Sequence, residues 1–147
     1  MDGKFVYHAT SGTWFLISKD ENGEDNTATV FAHGWAGNHA GKNNPDMDNI
    51  PCVGPLPIGG YTGGSCDENG VFVEGRWEDH HDHLGNMVMF WKPDATNEMH
   101  GRGDFFCHGP AQDPAKYGQE SRGCTVVPHD DRQKIKDSGV YRLEVVR

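Results

Sequence analysis

The feature that most constrains this chain is the shortness of its apolar runs. Brief stretches rich in Val, Phe, Trp and Tyr alternate with Gly, Asn, Asp and Pro along the whole sequence. Runs of this length favour β-strands, because an amphipathic helix needs a longer segment with a period near 3.6 residues. The pattern predicts strands at eight places: 4–8, 13–18, 28–33, 71–77, 86–92, 103–108, 123–127 and 140–146.

One segment has the character of a helix instead. Residues 129–138 place Asp130 and Asp131 in a first turn, two lysines further along, and Gly139 directly after the last helical position. Acidic residues at the start and glycine at the end are typical of helix boundaries. The 147 residues suit one ordinary domain, so we expect a single mostly-β domain over 1–147 with one short helix near its C-terminus.

Charge and hydropathy exclude several function classes. The 22 acidic and 13 basic residues give a net charge of -9, the wrong sign for binding nucleic acid or an anionic membrane surface. No apolar run approaches the roughly 18 residues of a membrane span, so membrane insertion is not expected. The N-terminus lacks a basic region followed by an apolar stretch, and we therefore expect synthesis in the cytoplasm without a cleavable signal peptide.

The chain has four cysteines, at positions 52, 66, 107 and 124. None belongs to a CxxC pair, which argues against a thiolate zinc site. A Cys52–Cys66 bridge across the Gly/Pro-rich segment and free thiols in a reducing compartment both remain open.

The most informative segment is 105–127. It contains His108-Gly109, then eleven residues, then Ser121-Arg122-Gly123-Cys124. A nucleophilic cysteine needs a base within hydrogen-bond reach and backbone N–H groups directed at the developing oxyanion. An adjacent imidazolium would lower the pKa of the thiol from about 8.5. On a strand, Cys107 would face away from His108 and serve as a small buried hydrophobe.

The spacing H-G-x11-S-x-G-C resembles the active-site signature of the L,D-transpeptidases, β-rich cysteine enzymes that act on peptidoglycan stem peptides. Two further segments, GPLPIGGY at 54–61 and GRGDFFCHG at 101–109, are similar to the branch that contains the type VI secretion L,D-transpeptidase effectors. The resemblance covers residues 50–128 well. It implies an L,D-transpeptidase-like β-sandwich.

The resemblance implies a role for each matching residue. Cys124 is the acylated nucleophile, His108 is the general base, and a backbone carbonyl orients the imidazole. The N–H groups of Gly123 and Cys124 form the oxyanion hole, and Gly109 belongs to the turn beside it. The substrate-binding residues are Ser121, Arg122, Tyr61 and Arg102. The sequence lacks the arginine that many relatives carry shortly after the cysteine, since Thr125 and Val126 follow here.

The resemblance also implies a biological setting. The expected reaction is L,D-carboxypeptidase or L,D-transpeptidase exchange on tetrapeptide stems, without a metal or other cofactor. The expected partners are peptidoglycan stem peptides and an immunity protein, and the expected site of action is the periplasm of a target cell.

Two alternatives come from other classes of protein. The cluster Asp79-His80-His81-Asp82-His83 would suit a metal-dependent hydrolase, although its spacing matches no common zinc motif and a solvated loop explains it more simply. A non-catalytic β module that binds the cell wall through aromatic loops is the second alternative.

Overall fold

The computed structural model describes residues 3–80, 84–111 and 121–147, apart from the side chains of 25–27. The described part contains ten strands and one α-helix, which confirms the mostly-β prediction. The strands are β1 (Gly3–His8), β2 (Thr13–Lys19), β3 (Asp25–His33), β4 (Trp35–Ala36), β5 (Gly59–Cys66), β6 (Phe72–Glu74), β7 (Met89–Pro93), β8 (Phe106–His108), β9 (Thr125–Val126) and β10 (Arg142–Val146). The helix α1 spans His129–Ser138, the range that the sequence predicts.

All ten strands belong to one sheet that curls until it is nearly closed. Its order is β3-β2-β1-β10-β5-β7-β8-β9-β4, with β6 paired to β5. The two ends of this path, β3 and β4, are separated in the chain only by Gly34. The curl brings Trp14 of β2 to within 6.0 Å of Trp91 of β7, measured between ring centroids, although three strands separate β2 from β7 in the sheet.

The concave side of the curled sheet encloses the hydrophobic core. Trp14, Trp91, Phe5 and Tyr7 are fully buried there, and Phe5 and Tyr7 each hold an edge-on contact with Trp14. Helix α1 adds Ile135 to the same core. Aromatic residues therefore supply the volume that a chain poor in Leu and Ile lacks.

The sequence pattern missed one central strand. The predicted strands leave out residues 59–66, because GGYTGGSC has low strand propensity. The structure instead pairs β5 with β10, β6 and β7. Large neighbours explain the glycines, since a Cβ on Gly63 would lie 2.8 Å from Trp91 Cζ3 and one on Gly64 would lie 2.8 Å from Phe72 Cζ. The two-residue strand β4 was missed as well.

Strands β8 and β9 position the segment that carries the His/Cys motif. They run parallel, with Cys107 opposite Thr125 and His108 opposite Val126. Helix α1 follows β9 almost directly and ends at Gly139, whose φ of +69° is the left-handed conformation typical of a helix stop. Within the described ranges, no helix is both long and apolar enough to cross a membrane.

Candidate active site

The turn 121–124 is held from inside by the Ser121 side chain. Its hydroxyl donates to the carbonyl of Cys124 at 2.6 Å and accepts from the N–H groups of Gly37 at 2.9 Å and Gly123 at 3.1 Å. Ser121 is fully buried, so these bonds form where water does not compete. The side chain therefore braces the turn that presents Cys124.

A second brace comes from a residue that sequence reasoning missed. The Asn38 side-chain NH₂ donates to the carbonyls of Ser121 at 2.6 Å and Cys52 at 2.8 Å. Asn38 is buried, and it links the loop after β4 to the cysteine turn. It lies more than eighty residues from Ser121 in the chain, and no local motif marks it.

Cys124 emerges from this turn into a nearly closed environment. Its side chain is 9 % exposed, the N–H of Phe106 donates to Sγ at 3.3 Å, and the carbonyl of Asp104 lies 3.9 Å from Sγ. Burial raises the pKa of the Cys124 thiol to about 11, although the Phe106 N–H and the Arg102 guanidinium both act to lower it. The expected lowering of this pKa is therefore not found, and the thiol is protonated at neutral pH.

His108 lies on the neighbouring strand with a defined orientation. Its ring contacts the carbonyl of Gly109 through Nδ1 at 2.8 Å. Because a carbonyl only accepts, Nδ1 carries a proton in this contact. The contact is to a backbone carbonyl, as the resemblance implies. Residue 109 must be small, since a Cβ there would lie 2.9 Å from Arg132 Cζ.

Strands β8 and β9 bring Cys124 next to the strand that carries His108. Cys124 directly precedes β9, His108 ends β8, and the two strands pair in parallel. Cys107 is in the core, so its neighbours Phe106 and His108 project to the other side of the sheet, because side chains alternate along a strand. The Sγ atom of Cys124 lies against the main chain of β8 at Phe106.

Cys107 faces the opposite way, as the sequence predicts. It is fully buried in the core cluster, and burial raises its pKa to about 12. Thr125, its partner across the ladder, accepts a bond from the Trp91 indole N–H at 3.0 Å on the same inner face. Cys107 is thus separated from the side of the sheet that holds His108.

Arg102 ties the cysteine turn to the Pro/Gly-rich segment. Its guanidinium donates to four backbone carbonyls, those of Asp48 (2.6 Å), Pro55 (2.7 Å), Gly54 (2.9 Å) and Arg122 (3.1 Å). The guanidinium also lies over the Phe105 ring, 5.0 Å from its centroid. Arg102 was predicted to bind substrate, and in this structure its donors are directed at the protein backbone.

The remaining predicted site residues have distinct surroundings. Tyr61 is fully buried and donates to the carbonyl of Pro57 at 2.6 Å, which fixes the segment that precedes β5. Gly123 has a φ of +126°, and its N–H donates to Ser121 Oγ. Arg122 projects into solvent beside the cysteine turn, with no ion pair among the described residues. Its exposure leaves the guanidinium available to a ligand carboxylate.

The 79–83 cluster falls partly outside the described residues, which exclude 81–83. The N–H of Met87 donates to the Asp79 carboxylate at 2.9 Å, and His80 Nε2 lies 2.9 Å from Glu78 Oε1. Across the described ranges, no three His, Cys, Asp or Glu side chains form a group that could hold a metal ion. All four cysteines are free, with Cys52 and Cys66 exposed.

Comparison with known proteins identifies the family of this chain. No curated protein and no solved structure matches the chain. The family model of the Tlde1 domain matches residues 30–145, which is most of the chain and includes the cysteine turn, His108 and the Arg102 contacts. The chain therefore belongs to the Tlde1 domain family, the family of type VI secretion L,D-transpeptidase effectors, whose members act on peptidoglycan.

Proposed function

We propose that this effector is a cysteine peptidoglycan enzyme that cleaves tetrapeptide stems through a thioester on Cys124. The observation that carries the proposal is the parallel β8–β9 pairing, which brings Cys124 next to the strand that ends in His108. The contact of His108 Nδ1 with the Gly109 carbonyl supports it, because this contact orients the imidazole that would take the thiol proton.

The first half-reaction is acylation. As His108 takes the proton from Sγ, the sulfur attacks the carbonyl that joins the L-centre of diaminopimelate to the terminal D-Ala. The C–N bond then breaks, and the imidazolium gives its proton to the leaving amine of D-Ala. The acyl group remains on sulfur as a thioester.

The second half-reaction determines the product, which depends on the acceptor that attacks the thioester. Water attack on the thioester breaks the C–S bond, returns a proton to sulfur and gives L,D-carboxypeptidase activity. A free D-amino acid gives exchange, and the amine of another stem gives a cross-link. The periplasm of a target cell is the compartment where such stems occur, and an immunity protein is the expected protective partner.

The structure suggests how the other predicted residues contribute. We assign Ser121 to positioning the turn, and Arg122 to binding a stem carboxylate because it is exposed beside Cys124. The expected oxyanion donors are the N–H groups of Gly123 and Cys124. That role requires the Gly123 N–H to exchange its bond with Ser121 for one to the oxyanion. Tyr61 and Arg102 hold the segments that border the site.

The direct test is the intact mass of the protein after incubation with a disaccharide tetrapeptide or a carbapenem. We expect a single acyl adduct on the wild-type chain, the same adduct on Cys66→Ala, and none on Cys124→Ala. Cys66→Ala is the matched control because Cys66 is an exposed thiol. His108→Ala is expected to slow acylation by roughly 10²–10⁴-fold, the usual contribution of a positioned base.

Three results would contradict the proposal. An adduct that persists in Cys124→Ala would place the nucleophile elsewhere. No adduct on any folded variant, together with retained binding to cell wall, would favour the non-catalytic module. Turnover that chelators abolish and thiol alkylation leaves intact would favour the metal-dependent hydrolase.

A further inference from the structure

Three phenylalanines form a row on the outer face of the sheet that begins beside Cys124. We call Phe106, Phe90 and Phe72 the aromatic row. The main-chain N–H of Phe106 donates to Cys124 Sγ at 3.3 Å, and Phe90 lies opposite Phe106 in β7. Their chain neighbours Met89 and Cys107 are in the core, whereas the three phenylalanine rings are half-buried on the outer side. The row is therefore a surface adjoining the nucleophile.

The row is continuous over four strands. The centroids of the Phe90 and Phe106 rings lie 5.5 Å apart, and those of Phe72 and Phe90 lie 6.3 Å apart. Gly64, which lies between β6 and β7 in the sheet, makes this approach feasible, because a Cβ there would lie 2.8 Å from Phe72 Cζ. At the far end, the Lys92 ammonium lies 5.2 Å from the centroid of the Phe72 ring.

The length of the row matches that of a stem peptide. Phe90 is two strands from the Cys124 backbone, or about 9.5 Å at the usual strand spacing. Three extended residues span about 10–11 Å, and the γ-linked glutamate of the stem lengthens this path. A donor stem that crosses the strands from Cys124 would place its sugar over Phe90 and Phe72.

Given the proposed function, we infer that the aromatic row binds the glycan of the donor strand, an N-acetylated amino sugar attached to the stem. The C–H faces of a pyranose ring are apolar and weakly positive, which suits the negative face of an aromatic ring. The row therefore makes the enzyme prefer glycan-linked stems to free peptides.

The test compares two substrates with the same stem, a disaccharide tetrapeptide and the sugar-free tetrapeptide. Phe72→Leu retains apolar volume but removes the aromatic face. We expect it to lower kcat/KM for the disaccharide substrate by roughly 3- to 10-fold and to leave the free tetrapeptide unchanged. Phe72→Trp keeps an aromatic ring at this position and is expected to retain the preference for the disaccharide substrate. Phe15→Leu is the matched control, since Phe15 is half-buried on β2 in the distant part of the sheet.

Binding to Cys124→Ala, measured by calorimetry with the same two ligands, separates this inference from the proposed function. If Cys124→Ala binds the disaccharide ligand more tightly than the free tetrapeptide, and adding Phe72→Leu removes this difference, the result supports the role of the aromatic row. This holds even if no variant turns over substrate. Equal affinity for the two ligands overturns the inference. An equal loss on both substrates in Phe72→Leu also overturns it, because a merely structural role would have that effect.

Discussion

Replacement of Arg102 tests how the site is held together. The guanidinium joins three carbonyls in the 48–55 segment to the carbonyl of Arg122 in the cysteine turn. Arg102→Met retains much of the apolar stem that packs on Phe105 and removes every donor. The variant therefore isolates the contribution of the hydrogen bonds from that of packing.

The magnitude follows from the number and lengths of these bonds. A hydrogen bond to a charged group contributes about 1.5–3 kcal/mol. If only the two shortest hydrogen bonds, to Asp48 and Pro55, count at the lower value, Arg102→Met lowers the free energy of unfolding by about 3 kcal/mol. If all four bonds count at that value, the loss is about 6 kcal/mol. A domain of this length has a free energy of unfolding of roughly 7–22 kcal/mol, so the loss is a large fraction of it.

Urea unfolding followed by tryptophan fluorescence measures this loss directly. We expect the midpoint to fall and the melting temperature to drop by about 6–12 °C for a loss of about 3 kcal/mol. Arg102→Lys should recover only part of the lost free energy of unfolding, because one ammonium cannot donate to all four carbonyls that the planar guanidinium reaches. Arg122→Gln is the control: its side chain is exposed, so stability should change by less than about 0.5 kcal/mol. An Arg102→Met protein within 1 kcal/mol of wild type would refute the reasoning.

Three further predictions concern the same region. Ser121→Ala leaves the buried N–H groups of Gly37 and Gly123 without their acceptor. The free energy of unfolding in urea should fall by about 2–4 kcal/mol. A fall of less than about 1 kcal/mol would mean that water replaces the hydroxyl. Gly123→Ala adds a Cβ at a φ of +126° against the Phe105 ring, so its melting temperature should fall by at least about 4 °C; an unchanged melting curve would contradict the close approach. Burial raises the pKa of Cys124 to about 11 and of Cys107 to about 12 from an ordinary value of 9.0, so the unfolded chain loses these protons first. The free energy of unfolding should therefore be level below about pH 9 and fall as the pH rises towards 11, with a shallower slope for Cys107→Ala.

The strands were predictable where short apolar runs stand between polar residues. β1 and β2 contain the runs FVY and WFLI, β10 begins with alternating residues, and α1 has acidic residues at its start and glycine after its end. β5 was not predicted, because its glycines accommodate the rings of Trp91 and Phe72, which lie on other strands. Local propensity therefore indicated no strand at 59–66, where the tertiary structure has a central one.

The site was predictable only as a set of residue types. The H-G-x11-S-x-G-C motif pointed to His108 and Cys124 through its resemblance to the L,D-transpeptidase signature. The surroundings of those side chains were not predictable. The Asn38 contacts and the four carbonyls around Arg102 depend on loops that meet only in the folded chain.

The buried state of the Cys124 thiol bears on how the proposed base would act. Burial raises the pKa of Cys124 to about 11, so the thiol is mostly protonated at neutral pH. In the proposed mechanism the proton therefore leaves sulfur as the carbonyl approaches, and the base needs a fixed orientation before substrate binds. The bond from His108 Nδ1 to the Gly109 carbonyl provides this orientation. A Cβ at residue 109 would meet the Arg132 guanidinium, so glycine is needed there. In the proposed mechanism, the oriented imidazole and the protonated thiol are thus two parts of one arrangement, in which the proton moves when substrate is in place.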